Sequence, residues 1–163
     1  MIRVQREDFD PGAEIERFSA GNTKVGGICT FLGLVRDYVG EDAASGESVR
    51  GMTLEHYPGM TERQLEAIEA EARRRWPLED ALVIHRYGRL APGDRIVLVA
   101  TASAHREAAF QSCHFLIDWL KTKAPFWKVE HTTQGDHWVE ARDSDDALAS
   151  RWEHEVPNSD AGC

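Results

Sequence analysis

The sequence has no long apolar run, little lysine and no paired cysteines, and each shortage narrows what the chain can be. Crossing a bilayer takes about 20 consecutive apolar residues, and nothing among the 163 residues approaches that. The opening segment, MIRVQREDFD, sets acids where a secretory signal needs an apolar stretch, so the expected location is the cytoplasm. Cys29, Cys113 and Cys163 form no CxxC pair, and their odd number offers no disulfide framework. Basic residues are outnumbered too. A net charge of −9 leaves no broad face for a nucleic-acid backbone, although it permits a local basic pocket for a small anion. None of the seven histidines pairs with a cysteine or a second histidine at zinc-ligand spacing, so neither a metal nor a cofactor is expected.

What is present reads as short β segments and amphipathic helices. Ile2–Gln5 predicts an edge strand, and Asp10-Pro11 starts a helix that buries Ile15 and Phe18 and ends at Gly21-Asn22. Gly26–Val35, GGICTFLGLV, predicts a well-buried strand, and Asp37–Ser48 a polar, mobile loop. Arg50–Tyr57 alternates as a half-buried strand does. Thr61 and Gln64 suggest a capping box for a helix with Leu65, Ile68, Ala72 and Trp76 on one face, closed by Pro77. Ala81–Tyr87 and Arg95–Ser103 predict strands joined by a turn-rich segment with Gly88, Pro92 and Gly93. Ser103 is the expected N-cap of a second long helix whose apolar stripe is Ala109, Cys113, Leu116 and Leu120, widened by Phe110 and Ile117. Pro125 stops that helix near Thr122. Phe126–His131 and His137–Glu140 form a hairpin around Gly135, and an acidic, loosely held tail follows from Asp143. The order predicts an α+β fold with a mixed or antiparallel sheet and packed helices, in one domain over 1–142 and a polar tail over 143–163.

The lysines are concentrated. There are four, and three of them lie in LKTKAPFWK: Lys121, Lys123 and Lys128. Across the proline break, Lys121 and Lys128 can face one pocket from two sides, with Phe126 and Trp127 as a dry wall that favours the neutral amine. The plain alternative is a solvated basic turn over aromatic core residues. At the other end of the same helix, His105-Arg106 sits where free backbone N–H groups attract anions. Arg36, at the end of the apolar strand, is a further candidate. Cys29 and Cys113 read as inert core thiols.

These residues also carry a resemblance. FLGLVRD (Phe31–Asp37), LEHYPGMTE (Leu54–Glu62), the RWPL…HRYGRLAPGD run (Arg75–Asp94) and SAHREAAFQSCHFLIDWLKTKAPFWKVE (Ser103–Glu130) resemble the large, catalytic subunit of molybdopterin synthase, the MoaE family. The resemblance implies a hammerhead-like subdomain and a central homodimer within a heterotetramer. It implies a partner as well, a small ubiquitin-like sulfur carrier whose C-terminal Gly-Gly tail ends in a thiocarboxylate. The implied reaction is sulfur transfer to cyclic pyranopterin monophosphate, giving the dithiolene of molybdopterin. By motif position, Lys121 and Lys128 are similar to the family's catalytic lysines. Leu34, Val35, Arg36, His105, Arg106, Val129 and Glu130 match its substrate-contacting positions. No Gly-Gly terminus closes this chain, so the carrier is a separate polypeptide. Two other readings stay open: an enzyme acting on a different phosphorylated heterocycle, and a dimeric scaffold in which the lysines only clamp a carboxylate.

Overall fold

The computed structural model describes residues 1–38, 48–139 and 149–152. Along the chain run β1 (Ile2–Gln5), α1 (Pro11–Ser19), β2 (Gly27–Leu34), β3 (Val49–His56), α2 (Met60–Arg75), β4 (Leu78–Arg86), β5 (Gly88–Leu90), β6 (Arg95–Ser103), α3 (Arg106–Lys123), β7 (Phe126–Thr132) and β8 (Asp136–Val139). They make two four-stranded sheets, ordered β1-β4-β6-β2 and β5-β3-β7-β8. Among the described residues only the β1–β4 pair is parallel, so the fold is α+β with mixed and antiparallel sheets. No helix among the described residues is long and apolar enough to cross a membrane.

Strand alternation divides the core between the two faces of the first sheet. Val83, Val97 and Val99 point to one side, where they meet Leu65, Ile68 and Ala72 of α2 and Cys113, Phe115, Leu116 and Leu120 of α3. Their neighbours Leu82, Ile84, Leu98 and Ala100 point to the other, against Phe9 and Phe18. A smaller cluster of Val35, Met52, Leu54 and Leu90 joins the end of β2 to the second sheet. Gly26 is required where β2 begins, since a Cβ there would lie 2.2 Å from the Ala104 carbonyl oxygen.

Several expectations give way to the structure. The apolar run of β2 is not well buried: among the described residues it pairs only with β6, at the sheet edge, and Phe31, Leu32 and Leu34 are 40%, 40% and 49% exposed. In α1 the deeply buried residue is Glu14, held by Arg3 and Arg17, while Ile15 and Phe18 are half-buried. The cap of α2 is Gly59, whose N–H donates to the Glu62 carboxylate at 2.6 Å. Thr61 lies inside the helix and fully buried. Ser103 ends β6, and its hydroxyl donates to the Pro77 carbonyl; His105 takes the N-cap position of α3. Phe110 points outward instead of widening the core stripe. The segment expected to be loose from Asp143 includes residues 149–152, which are helical and place Trp152 in the core, only 4% exposed. The expected loop over 37–48 lies outside the described residues except at its ends, where Tyr38 bridges Ser48. Glu140, Arg142 and Cys163 lie outside them as well.

Candidate functional site

The proline that ends α3 also builds the site. Lys121 is exposed in the last helical turn. Ala124 leaves the helix in an extended conformation, and the buried Thr61 hydroxyl donates to the Pro125 carbonyl at 3.3 Å, tying the break to α2. The chain then enters β7, where Lys128 pairs with Leu54 on one side and Val139 on the other. Directly paired residues share a face. Lys128 and Glu130 therefore lie on the inner face with Leu54 and Met52, and Val35 packs into the same cluster. Glu130 is 7% exposed and its carboxylate sits 2.6 Å from the Lys128 ammonium, so this lysine is fixed by a buried acid.

Lys123, the third member of the cluster, lies over the Trp119 ring at 3.7 Å and belongs to the surface of α3. Trp127 is not the expected dry wall. It faces outward, 44% exposed, on the side of the second sheet opposite Lys128. Val129 shares that outer face, between Thr53 and Trp138.

Leu34, Val35 and Arg36 reach the same end of the molecule as the lysines. Leu34 pairs with Arg95 at the start of β6, whose other end leads into α3. The helix therefore returns along β6: the Thr101 hydroxyl donates to the Ala109 carbonyl near the helix start, and Leu120 and Ala124 pack with Val97 near its end. Val35 is buried, and its N–H donates to the Asp94 carbonyl. Arg36 is exposed and lies over the Tyr38 ring at 4.9 Å.

His105 and Arg106 are not brought to that end. They sit at the opposite end of α3, beside the start of β2, where Arg106 Cα would be 3.7 Å from a Cβ on Gly27. Fifteen residues of helix separate Arg106 from Lys121, about 22 Å at 1.5 Å per residue. The two candidate clusters therefore lie at opposite ends of α3.

Beneath the lysine end lies a feature the sequence reading passed over. The buried ring of His85 stacks on Phe126 at 3.7 Å, with its Nδ1 2.9 Å from the Arg86 carbonyl. Burial pulls this imidazole down to about 4, against a backbone hydrogen bond that raises it. The folded state therefore favours the neutral ring. The associated stability is complete above the ordinary histidine range and is lost as pH falls from about 6.5 towards 4, roughly 3 kcal/mol in all. The expected result is a midpoint of urea unfolding that drops over this window in the native protein and less in His85→Leu, measured as a pH series. An apolar strand with one inward histidine, ALVIHR, was the available signal. Burial, with Cys29 beside it, pushes the Cys113 thiol far up, consistent with an inert core residue. Among the described residues no three His, Cys, Asp or Glu side chains gather as metal ligands.

Known proteins resemble this one along nearly its whole length. A family model described as MoaE protein matches residues 4–123. The chain is 54% identical over 152 residues to the molybdopterin synthase catalytic subunit of Pseudomonas aeruginosa, covering 93% of this chain and 98% of that protein. Among solved structures, the molybdopterin biosynthesis MoaE protein from Burkholderia ambifaria superposes with a TM-score of 0.78 at 52% identity, covering 95% of this chain and 99% of that one. A complex of subunits 1 and 2 of molybdopterin-converting factor from Helicobacter pylori shares the fold, with a TM-score of 0.68 at 19% identity over 86% of this chain and 91% of that one.

Proposed function

The chain belongs to the MoaE protein family and is a sulfurtransferase of molybdopterin formation, and from that footing we propose which residues carry the reaction and how. The sulfur donor is the C-terminal thiocarboxylate of a small carrier subunit, and the acceptor is cyclic pyranopterin monophosphate. The thiocarboxylate tail enters at the lysine end, lined by Val35, Lys121, Lys128 and Glu130. Lys128, held by Glu130 at 2.6 Å, orients the anionic tail. Lys121, exposed in the last turn of α3, serves as the acid–base group, protonating the departing phosphate oxygen as the cyclic phosphate opens. Arg36, Leu34 and the backbone of Val129 border the same end.

The observation that carries this reading is the Lys128 ammonium held at 2.6 Å by the buried Glu130 carboxylate, at the end of the molecule where α3 ends in Lys121 and β2 leads to Arg36. His105 and Arg106 bind the substrate phosphate. Because they lie about 22 Å from Lys121 along a rigid helix, they act on the lysine end of a second protomer, and each site is shared by two chains. A cytoplasmic setting is part of the same proposal, supported by the free thiols of Cys29 and Cys113.

The test is reconstitution. Purified chain, thiocarboxylated carrier and cyclic pyranopterin monophosphate are combined, and dithiolene pterin is measured by mass spectrometry. Product that requires the carrier supports the proposal. Folded components that bind one another yet yield no product would reduce the lysines to a clamp and overturn it.

A further inference from the structure

The outer face of the second sheet, away from the lysines, sets a hydroxyl, an imidazole and a carboxylate in line. Thr53 of β3 pairs with Val129, and His131 stands two residues further along β7, so both side chains point to that face. Directly opposite His131 is Gly51, which leaves no side chain between the imidazole and Thr53. Asp136 of β8 pairs with His131 from the other side. The Thr53 hydroxyl lies 2.8 Å from His131 Nε2, and His131 Nδ1 lies 2.7 Å from the Asp136 carboxylate.

The chemistry of the three groups fixes the direction of these bonds. A carboxylate only accepts, so His131 Nδ1 carries the proton that it donates. In the neutral ring Nε2 is then an acceptor, and the Thr53 hydroxyl donates to it. This arrangement draws a proton from a hydroxyl as its oxygen attacks an acyl carbon.

The surroundings suit a substrate. Thr53 also lines an open cleft of about 510 Å³ with Glu55, Arg6, Tyr87 and Arg89. Arg89 pairs with Thr53 across β5 and so stands beside it on the same face. Arg6 lies over the Tyr87 ring at 5.0 Å, and neither arginine has an ion-pair partner among the described residues. Against these two cations the cleft sets the Glu55 carboxylate, which leaves it net positive. On the other side of Thr53, Trp138 pairs with Val129 and is 67% exposed, an apolar surface for the body of a ligand.

We infer that Thr53, His131 and Asp136 form a further catalytic site, which hydrolyses activated acyl esters bearing an anionic group. Thr53 Oγ bonds to the acyl carbon while its proton passes to His131 Nε2. The adduct then breaks its bond to the leaving oxygen, which takes that proton. Water attacks the acyl-Thr53 ester in the same way, giving a proton to His131; the free acid departs and the hydroxyl is restored. Arg89 offsets charge on the adduct oxygen, and Arg6 holds the anionic group of the substrate. Asp136 is a positioning residue that keeps the imidazole in the required tautomer. The site is separate from sulfur transfer, because Lys128 pairs with Leu54 and lies on the opposite face of the sheet.

The test uses the full-length protein with two probes, para-nitrophenyl acetate and its anionic counterpart, the para-nitrophenyl monoester of succinate. Turnover is followed by nitrophenolate release. The acyl group is located by peptide mass mapping before and after neutral hydroxylamine, which strips esters and leaves amides formed at lysines. The expected result is repeated turnover and a hydroxylamine-sensitive acyl group on Thr53. Turnover falls on the order of 100-fold in Thr53→Val and in His131→Ala. Asp136→Asn, which favours the other tautomer, lowers kcat at unchanged KM. Arg6→Met lowers kcat/KM about tenfold for the succinate ester and leaves the acetate unchanged. Thr53→Val and His131→Ala, shown to be folded by circular dichroism, still form dithiolene pterin at the native rate. No turnover, turnover that survives in Thr53→Val, or an acyl group on lysines alone would overturn the assignment. Dithiolene formation lost together with ester turnover in the folded variants would place Thr53 in the sulfur-transfer site and overturn it also.

Discussion

Lys121→Ala is expected to lower dithiolene formation on the order of 10²–10⁴-fold while the protein keeps its fold and its grip on the carrier. The residue is exposed in the last turn of α3 and is not among the core side chains, so its loss removes chemistry, not packing. Lys128→Ala differs in kind. It strands Glu130, a buried carboxylate, without its partner at 2.6 Å, and an uncompensated buried acid destabilises the strand that carries it. Single-turnover kinetics with pre-formed carrier complex separate the two. Lys121→Ala should slow the chemical step at unchanged complex affinity, whereas Lys128→Ala should weaken tail binding and lower the unfolding midpoint. Full turnover by Lys121→Ala would remove it from the mechanism.

The second large effect lies far from the lysines in sequence. Trp152→Ala should destabilise the fold by about 3–5 kcal/mol, the range for deleting a buried aromatic. Its ring is 4% exposed and meets Trp76, Phe115 and His114 at 5.6, 5.7 and 5.8 Å between centroids. Its indole N–H donates to the buried Asp118 carboxylate at 2.8 Å, which also accepts from Arg151 at 2.6 Å. Trp152→Phe keeps most of the packing and loses only that hydrogen bond, so it should cost about 1–2 kcal/mol. Urea titrations of the three proteins give the order native, Phe, Ala. An Ala variant as stable as the native protein would show that residues 149–152 merely rest on the core.

The contrast between these two residues shows what a sequence discloses. Periodicity located α2 and α3 because Leu65, Ile68 and Ala72, and then Cys113, Leu116 and Leu120, recur at helical spacing against one sheet face. Pro125 marked the helix end for a local steric reason. The lysine end was legible because a proline break between two lysines is a local pattern. Long-range facts were not. Nothing in GGICTFLGLV distinguishes a central strand from an edge, since exposure depends on whether a second neighbour arrives. Ser103 and Thr61 have the chemistry of caps, yet tertiary contacts with Pro77 and Pro125 claimed their hydroxyls first. Trp152 was hidden by its acidic surroundings, although a tryptophan in a polar stretch is itself a sign of an anchor. The separation of His105-Arg106 from Lys121 followed from helix length alone and needed only the arithmetic of rise per residue.

That separation has a genetic consequence. When each site borrows Lys121 from one chain and Arg106 from the other, a chain with only one of these replaced still lends its partner the other residue. A chain with both replaced has nothing to lend, and every mixed dimer it enters is dead at both sites. Expressed beside the native copy, the doubly substituted chain is a dominant inhibitor, while either single substitution is merely a passenger.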